Sequence, residues 1–206
     1  MEKRNNATRL RTIACVTLLA VSLLLSARHA GAEHINASHS LYSPPELPAT
    51  ATTITLKKGE MAPEFTLPSI SGQQVSLADY RGKKNVVISF VPAAFTPVCS
   101  DQWPGYNIAK ELFERHDAVI LGIALDNIPS LYVWAHQMGG LWFPVLSDFW
   151  PHGATAQTYG ILRPEGISER AIFVVDKQGR IADITLSDIN TRPDLGRIMK
   201  VLGTLP

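Results

Sequence analysis

Cysteine is nearly absent from this chain, with two in 206 residues, Cys15 and Cys99. Two thiols cannot build a disulfide scaffold or a four-cysteine zinc site, which excludes both as the organising device. A surplus of charge is missing too. With 19 Lys and Arg against 18 Asp and Glu, the formal net charge is +1, which gives no reason to expect a nucleic-acid partner. The apolar stretch near the N terminus, Ile13–Ala27, has only 15 residues, below the roughly 20 that span a bilayer as a helix. No set of residues has the spacing of metal ligands, so no metal or other cofactor is expected. What the chain does have is 46 % hydrophobic and 18 % charged residues. That supplies a sizeable core and does not suit a disordered polypeptide.

The near-zero charge conceals a division. Residues 1–32 hold five basic groups and one acid, so the remaining 174 residues carry 14 basic and 17 acidic groups. The leader runs from a basic start through Ile13–Ala27 to Ala30 and Ala32, an A-x-A-like cleavage site before Glu33. This pattern predicts a signal peptide over 1–32 and export to the periplasm or medium. An uncleaved membrane anchor that keeps the domain outside the cytoplasm is the alternative. Cys15 reads as one more apolar residue of the leader, whose removal leaves Cys99 alone. Residues 33–56 contain Pro44, Pro45 and Pro48 and no sustained apolar period, which predicts a flexible linker. The folded domain is expected over 57–206.

Three short apolar runs, Val86–Val91, Val119–Leu125 and Ala171–Val175, read as strands buried on both faces. Asp176–Gly179 forms a turn into Ile181–Leu186, a closing hairpin. Leu131, Trp134 and Met138 predict a helix with Ser130 as its N-cap. Leu195, Ile198, Met199 and Leu202 predict another, with Pro193 in its first turn. Trp142, Phe143, Phe149 and Trp150 read mostly as core. Strands alternating with helices and ending in a hairpin predict an α/β sandwich with a mixed sheet.

Cys99 falls where a loop from the first buried strand opens a helix. Helix N-termini offer unpaired N–H groups and partial positive charge, which favour thiolate over thiol. Pro92 can wall a pocket at the strand end without an N–H of its own. Thr96 can donate one hydrogen bond and accept others.

Pro92-x-x-x-Thr96-x-x-Cys99 resembles the active-site motif of the peroxiredoxin family, and the resemblance covers about Lys57 to Leu205. Arg170 falls where that family places an arginine beside its cysteine. The stretch Phe143–Gly153 is similar to the one-cysteine AhpE-type branch. Many members have Glu three residues after the cysteine, where this chain has Gln102. The resemblance implies a thioredoxin-like fold and a homodimer or larger homo-oligomer. It implies a thiol-dependent peroxidase that reduces hydrogen peroxide and organic hydroperoxides, with Cys99 as nucleophile and a sulfenic acid intermediate. The Thr96 hydroxyl, the Arg170 guanidinium and the backbone N–H groups of Val98 and Cys99 are the expected partners of the peroxide oxygens. Pro92 shapes the pocket, and Gln102 has a minor binding role.

Acidity alone gives little. Lowering a thiol pKa from ~8.5 to roughly 6 raises its thiolate about thirtyfold near neutral pH, while nucleophilicity falls roughly tenfold. Donors aimed at the developing oxygen charge contribute more, about 3 kcal/mol each. Without a second thiol in the mature chain, an external thiol or redoxin must return the sulfenic acid. The competing reading is a thiol-based redox sensor or thioredoxin-like binding module without turnover. A disulfide oxidoreductase would need a C-x-x-C partner where Gln102 stands, and a cysteine hydrolase would need a histidine base that His116, His136 and His152 do not supply by spacing.

Overall fold

The computed structural model describes residue 42 and residues 44–206. The expected leader, Cys15 and the first part of the expected linker lie outside the described residues. No helix among the described residues is long and apolar enough to cross a membrane.

The apolar runs make the centre of a five-stranded sheet. Its strands are β3 (Asn85–Phe90), β4 (Ala118–Ala124), β5 (Val145–Ser147), β6 (Arg170–Val175) and β7 (Ile181–Ser187), in the order β5-β4-β3-β6-β7. Strands β1 (Thr66–Pro68) and β2 (Gln74–Ser76) form a separate antiparallel pair. β3 runs parallel to β4 and antiparallel to β6, with Ser89 opposite Ile172 and Phe90 opposite Ala171. The helices are α1 (Pro97–Ile108), α2 (Lys110–Arg115), α3 (Ile128–Gln137), α4 (Ala154–Thr158) and α5 (Leu195–Leu202).

Side chains alternate across a strand, and the sheet therefore feeds two cores. Val87, Ile120, Ile172 and Val174 pack with Trp103, Phe113, Trp134 and Ile198 on one side. Ile88, Phe90, Leu121 and Phe173 pack with Phe65, Leu67 and Tyr159 on the other. Burial on both faces is why these strands read as continuous apolar runs. Gly122 on β4 is required by close approach: a Cβ there would lie 2.9 Å from the Trp103 ring and 3.1 Å from Phe143. The result is the expected thioredoxin-like α/β sandwich with a mixed sheet.

Several local expectations are corrected. Asn127, not Ser130, caps α3, because its side chain accepts the Ser130 amide at 3.0 Å. Asp194 caps α5, which leaves Pro193 outside the helix. Phe143 is buried, but Phe149 and Trp150 are exposed at 47 % and 69 %. Part of the expected flexible linker is docked on the domain. Glu169 Oε1 accepts the amides of Ala51 (2.6 Å) and Thr52 (2.9 Å), and the Ile189 amide donates to Ala49 O at 3.0 Å. These partners are more than a hundred residues away, so no local pattern marks the contact.

Candidate active site

The chain leaves β3 through Val91 and Pro92 and turns sharply, with Phe95 at φ 58°. Asp126 holds this loop, since its Oδ2 accepts the Ala94 amide at 2.9 Å. Burial raises the Asp126 carboxyl above its ordinary range, although the Ala94 bond works against the shift. Thr96 is extended in the N-cap position and Pro97 opens α1, where its fixed φ suits the first turn and its missing N–H is not needed. Pro104 lies inside α1 without ending it, so Cys99 is in the first turn. Ser100 is the first residue whose amide the helix takes up, donating to Thr96 O at 2.9 Å. The amides of Val98 and Cys99 therefore have no intrahelical acceptor.

The buried face of α1 carries Cys99, Gln102, Trp103 and Tyr106, the i, i+3, i+4, i+7 spacing of one helical stripe. Arg170 shares strand parity with Ile172 and Val174 on β6, so it projects to the same layer. The helix stripe and strand parity together bring Arg170 to Cys99 across 71 residues of sequence, with Nη2 at 3.4 Å from Sγ.

Arg170 is 2 % exposed. Its Nη1 donates to Gln102 Oε1 at 2.7 Å, while Nε and Nη2 donate to Ile189 O at 3.1 and 2.8 Å. Gln102 Nε2 in turn donates to Ser89 Oγ at 3.1 Å and Tyr106 Oη at 3.2 Å. Burial pushes the Tyr106 phenol up to about 12, which leaves it neutral at working pH. Every protein acceptor holding Arg170 is thus uncharged. It makes no ion pair among the described residues. An isolated buried charge is costly, and the sulfur is the one partner of this guanidinium that can become an anion.

A cavity of about 420 Å³ adjoins this cluster, and Pro92, Thr96, Val98 and Arg170 line it. Two features differ from expectation. Cys99 is fully buried, so its sulfur is covered rather than open to the cavity. The Thr96 hydroxyl donates to Ala93 O at 3.0 Å, which leaves its lone pairs, not its proton, for another group. Gln102 is more central than its minor expected role, because it fixes Arg170. Ser89, Tyr106, Asp126 and Ile189 were missed. A lone serine inside the run Val86–Val91 and the stripe of α1 were the available signals for the first two. Among the described residues, no histidine lines the cavity. Among the described residues, no group of three or more His, Cys, Asp or Glu could hold a metal ion.

Residues 58–184 match the model of the AhpC/TSA family. Alkyl hydroperoxide reductase E of Mycobacterium tuberculosis is 43 % identical over 127 residues, which cover 61 % of this chain and 82 % of that protein. A chloroplastic 2-Cys peroxiredoxin of Hordeum vulgare is 30 % identical over 157 residues, covering 71 % and 74 %. Among solved structures, Mycobacterium tuberculosis AhpC is similar with a TM-score of 0.65 and 25 % identity over 72 % of this chain and 92 % of that one. The reduced 2-Cys peroxiredoxin of Plasmodium vivax gives a TM-score of 0.66 at 22 % identity, over 71 % and 80 %.

Proposed function

The chain belongs to the AhpC/TSA family of peroxiredoxins, in its AhpE-like branch, and on that premise we propose that Cys99 is the nucleophile of its thiol-dependent peroxidase activity. The thiolate attacks the nearer oxygen of a hydroperoxide, the S–O bond forms and the O–O bond breaks. The leaving alkoxide or hydroxide takes a proton to become an alcohol or water. Sulfur is oxidised to sulfenic acid and the peroxide is reduced by two electrons.

Arg170 supports this reading most strongly, as a buried guanidinium without a carboxylate and with Nη2 3.4 Å from the sulfur. Its charge is balanced when the sulfur ionises, and it faces the oxygens as their charge grows. The amides of Val98 and Cys99 donate to the same oxygens. Thr96, with its proton on Ala93 O, accepts the O–H of the peroxide. Gln102 and Ile189 O hold Arg170 in place, and Pro92 walls the approach. Because the sulfur is covered, attack includes a small local opening beside it.

Residues 57–206 contain one cysteine, so regeneration requires an external thiol. This thiol attacks the sulfenic sulfur, water leaves, and a second thiol releases Cys99 from the mixed disulfide. The relatives' family also supports a homo-oligomer. The basic, apolar and A-x-A-like leader supports export, and N-terminal sequencing of protein from intact cells tests it.

Mass spectrometry after one equivalent of peroxide, with dimedone present, tests the central assignment. The expected product is a single dimedone adduct on Cys99, alongside peroxide consumption over many turnovers with added thiol. An adduct without turnover would instead indicate a sensor.

A further inference from the structure

The cavity beside Cys99 has a wall that the family match does not include. Tyr42, Pro44 and Leu47 face it from the segment before the domain, whereas the family match begins at residue 58. We infer that Tyr42 and residues 44–49 form a specificity wall that seats the apolar part of an organic hydroperoxide, a reading that rests on the peroxidase function proposed above.

The first observation is size and lining. The cavity measures about 420 Å³, within the roughly 300–1,000 Å³ range of small-molecule sites. Hydrogen peroxide, little larger than water with its share of about 30 Å³, leaves most of such a space unused. The cavity's polar groups include Thr96 and Arg170 at the reacting end, while Pro44, Pro45 and Leu47 give an apolar surface. A hydroperoxide with its O–O end at Arg170 would lay its hydrocarbon part on that surface.

The second observation is that this segment is held in place. The Tyr42 amide donates to Phe95 O at 2.7 Å. Arg163 Nη2 donates to Pro48 O at 3.1 Å, and Glu169 Oε1 accepts the amides of Ala51 and Thr52. Pro44, Pro45 and Pro48 restrict the backbone between these ties. Ile189 links the wall to the reacting groups: its amide donates to Ala49 O, and its carbonyl accepts from Arg170. Such a wall is preformed and need not fold when substrate arrives.

Steady-state reduction of cumene hydroperoxide and of hydrogen peroxide by the full chain tests the inference. In the double variant Tyr42→Ser with Leu47→Ser, the ratio of kcat/KM for cumene hydroperoxide over hydrogen peroxide should fall about tenfold, mainly through KM for the organic substrate. Should that variant not fold, Tyr42→Ser alone keeps the test open, because Tyr42 is 63 % exposed; its expected loss is about threefold in the same ratio. An unchanged ratio in folded variants overturns the wall and leaves the peroxidase reading intact. Failure of the unaltered protein to consume either peroxide overturns both.

Discussion

Two arginines seven positions apart are both buried, but their surroundings differ. Arg163 pairs with Glu169 at 2.8 Å, both side chains fully covered, and Glu169 is satisfied further by Ala51 and Thr52. Arg170 has two carbonyl bonds, one amide oxygen and one sulfur, with no carboxylate. Glu169 and Arg170 are neighbours in sequence, yet they serve different clusters. A buried cation given a permanent counter-ion is architecture, whereas one left without it attracts charge that arrives during a reaction. Arg163 accordingly ties the preceding segment to the domain, and Arg170 faces the Cys99 sulfur.

Breaking the paired site should have the largest effect on stability. Glu169→Ala leaves buried Arg163 with only the partly exposed Glu165, 3.3 Å from its Nε, as counter-ion, and chemical denaturation should show a loss of about 3 kcal/mol. Replacing both partners with apolar residues (Arg163→Met with Glu169→Leu) should recover most of that loss. A double variant as unstable as the single would show that charge pairing is not what distinguishes this site.

The unpaired site should respond less in stability and more in rate. Gln102→Leu removes the acceptor for Arg170 Nη1 and the donor to Ser89 and Tyr106. We expect it to destabilise the fold by about 1–3 kcal/mol and to slow sulfenic acid formation roughly tenfold. Stopped-flow kinetics and denaturation measure the two effects separately. Stability loss without a change in rate would reduce Gln102 to a packing residue.

Asp183 extends the comparison to a buried carboxylate whose cationic partners lie at the surface, and to the smallest effect. Burial acts to raise its carboxyl, but hydrogen bonds from Arg197, Lys58 and Thr185 outweigh burial and leave it below the usual range. A lowered carboxyl stabilises the fold above its unfolded value of about 4, and that contribution disappears as pH falls through the folded value. Asp183→Asn should therefore cost about 1 kcal/mol near neutral pH, since Arg197 and Lys58 are largely in solvent. Denaturation midpoints of the two proteins should converge in acid. A difference that persists at low pH would point to packing instead.

The legible parts of the molecule were those that local spacing encodes. Apolar runs identified β3, β4 and β6, and Asp176–Gly179 identified the hairpin. The strand-to-helix position of Cys99 singled it out as the candidate nucleophile, while Arg170 became visible only through family resemblance. Its bond to Ile189, the link from Glu169 to residues 51 and 52, and the wall formed by Tyr42 and residues 44–49 all join distant segments, so no local period records them. Phe149 and Trp150 misled because aromatic residues usually enter cores, yet here they follow the end of β5 and remain exposed.

Arg170→Gln provides the most direct test of the central claim, because it removes the charge while keeping a polar side chain. Two quantities are read at one fixed pH: the stopped-flow rate of sulfenic acid formation, and the ionised fraction of the sulfur from thiolate absorbance. The predicted result is a loss in rate of about a hundredfold with a much smaller loss of thiolate. Equal losses in both, or an undiminished rate, would contradict the claim that this guanidinium stabilises the oxygens of the breaking bond.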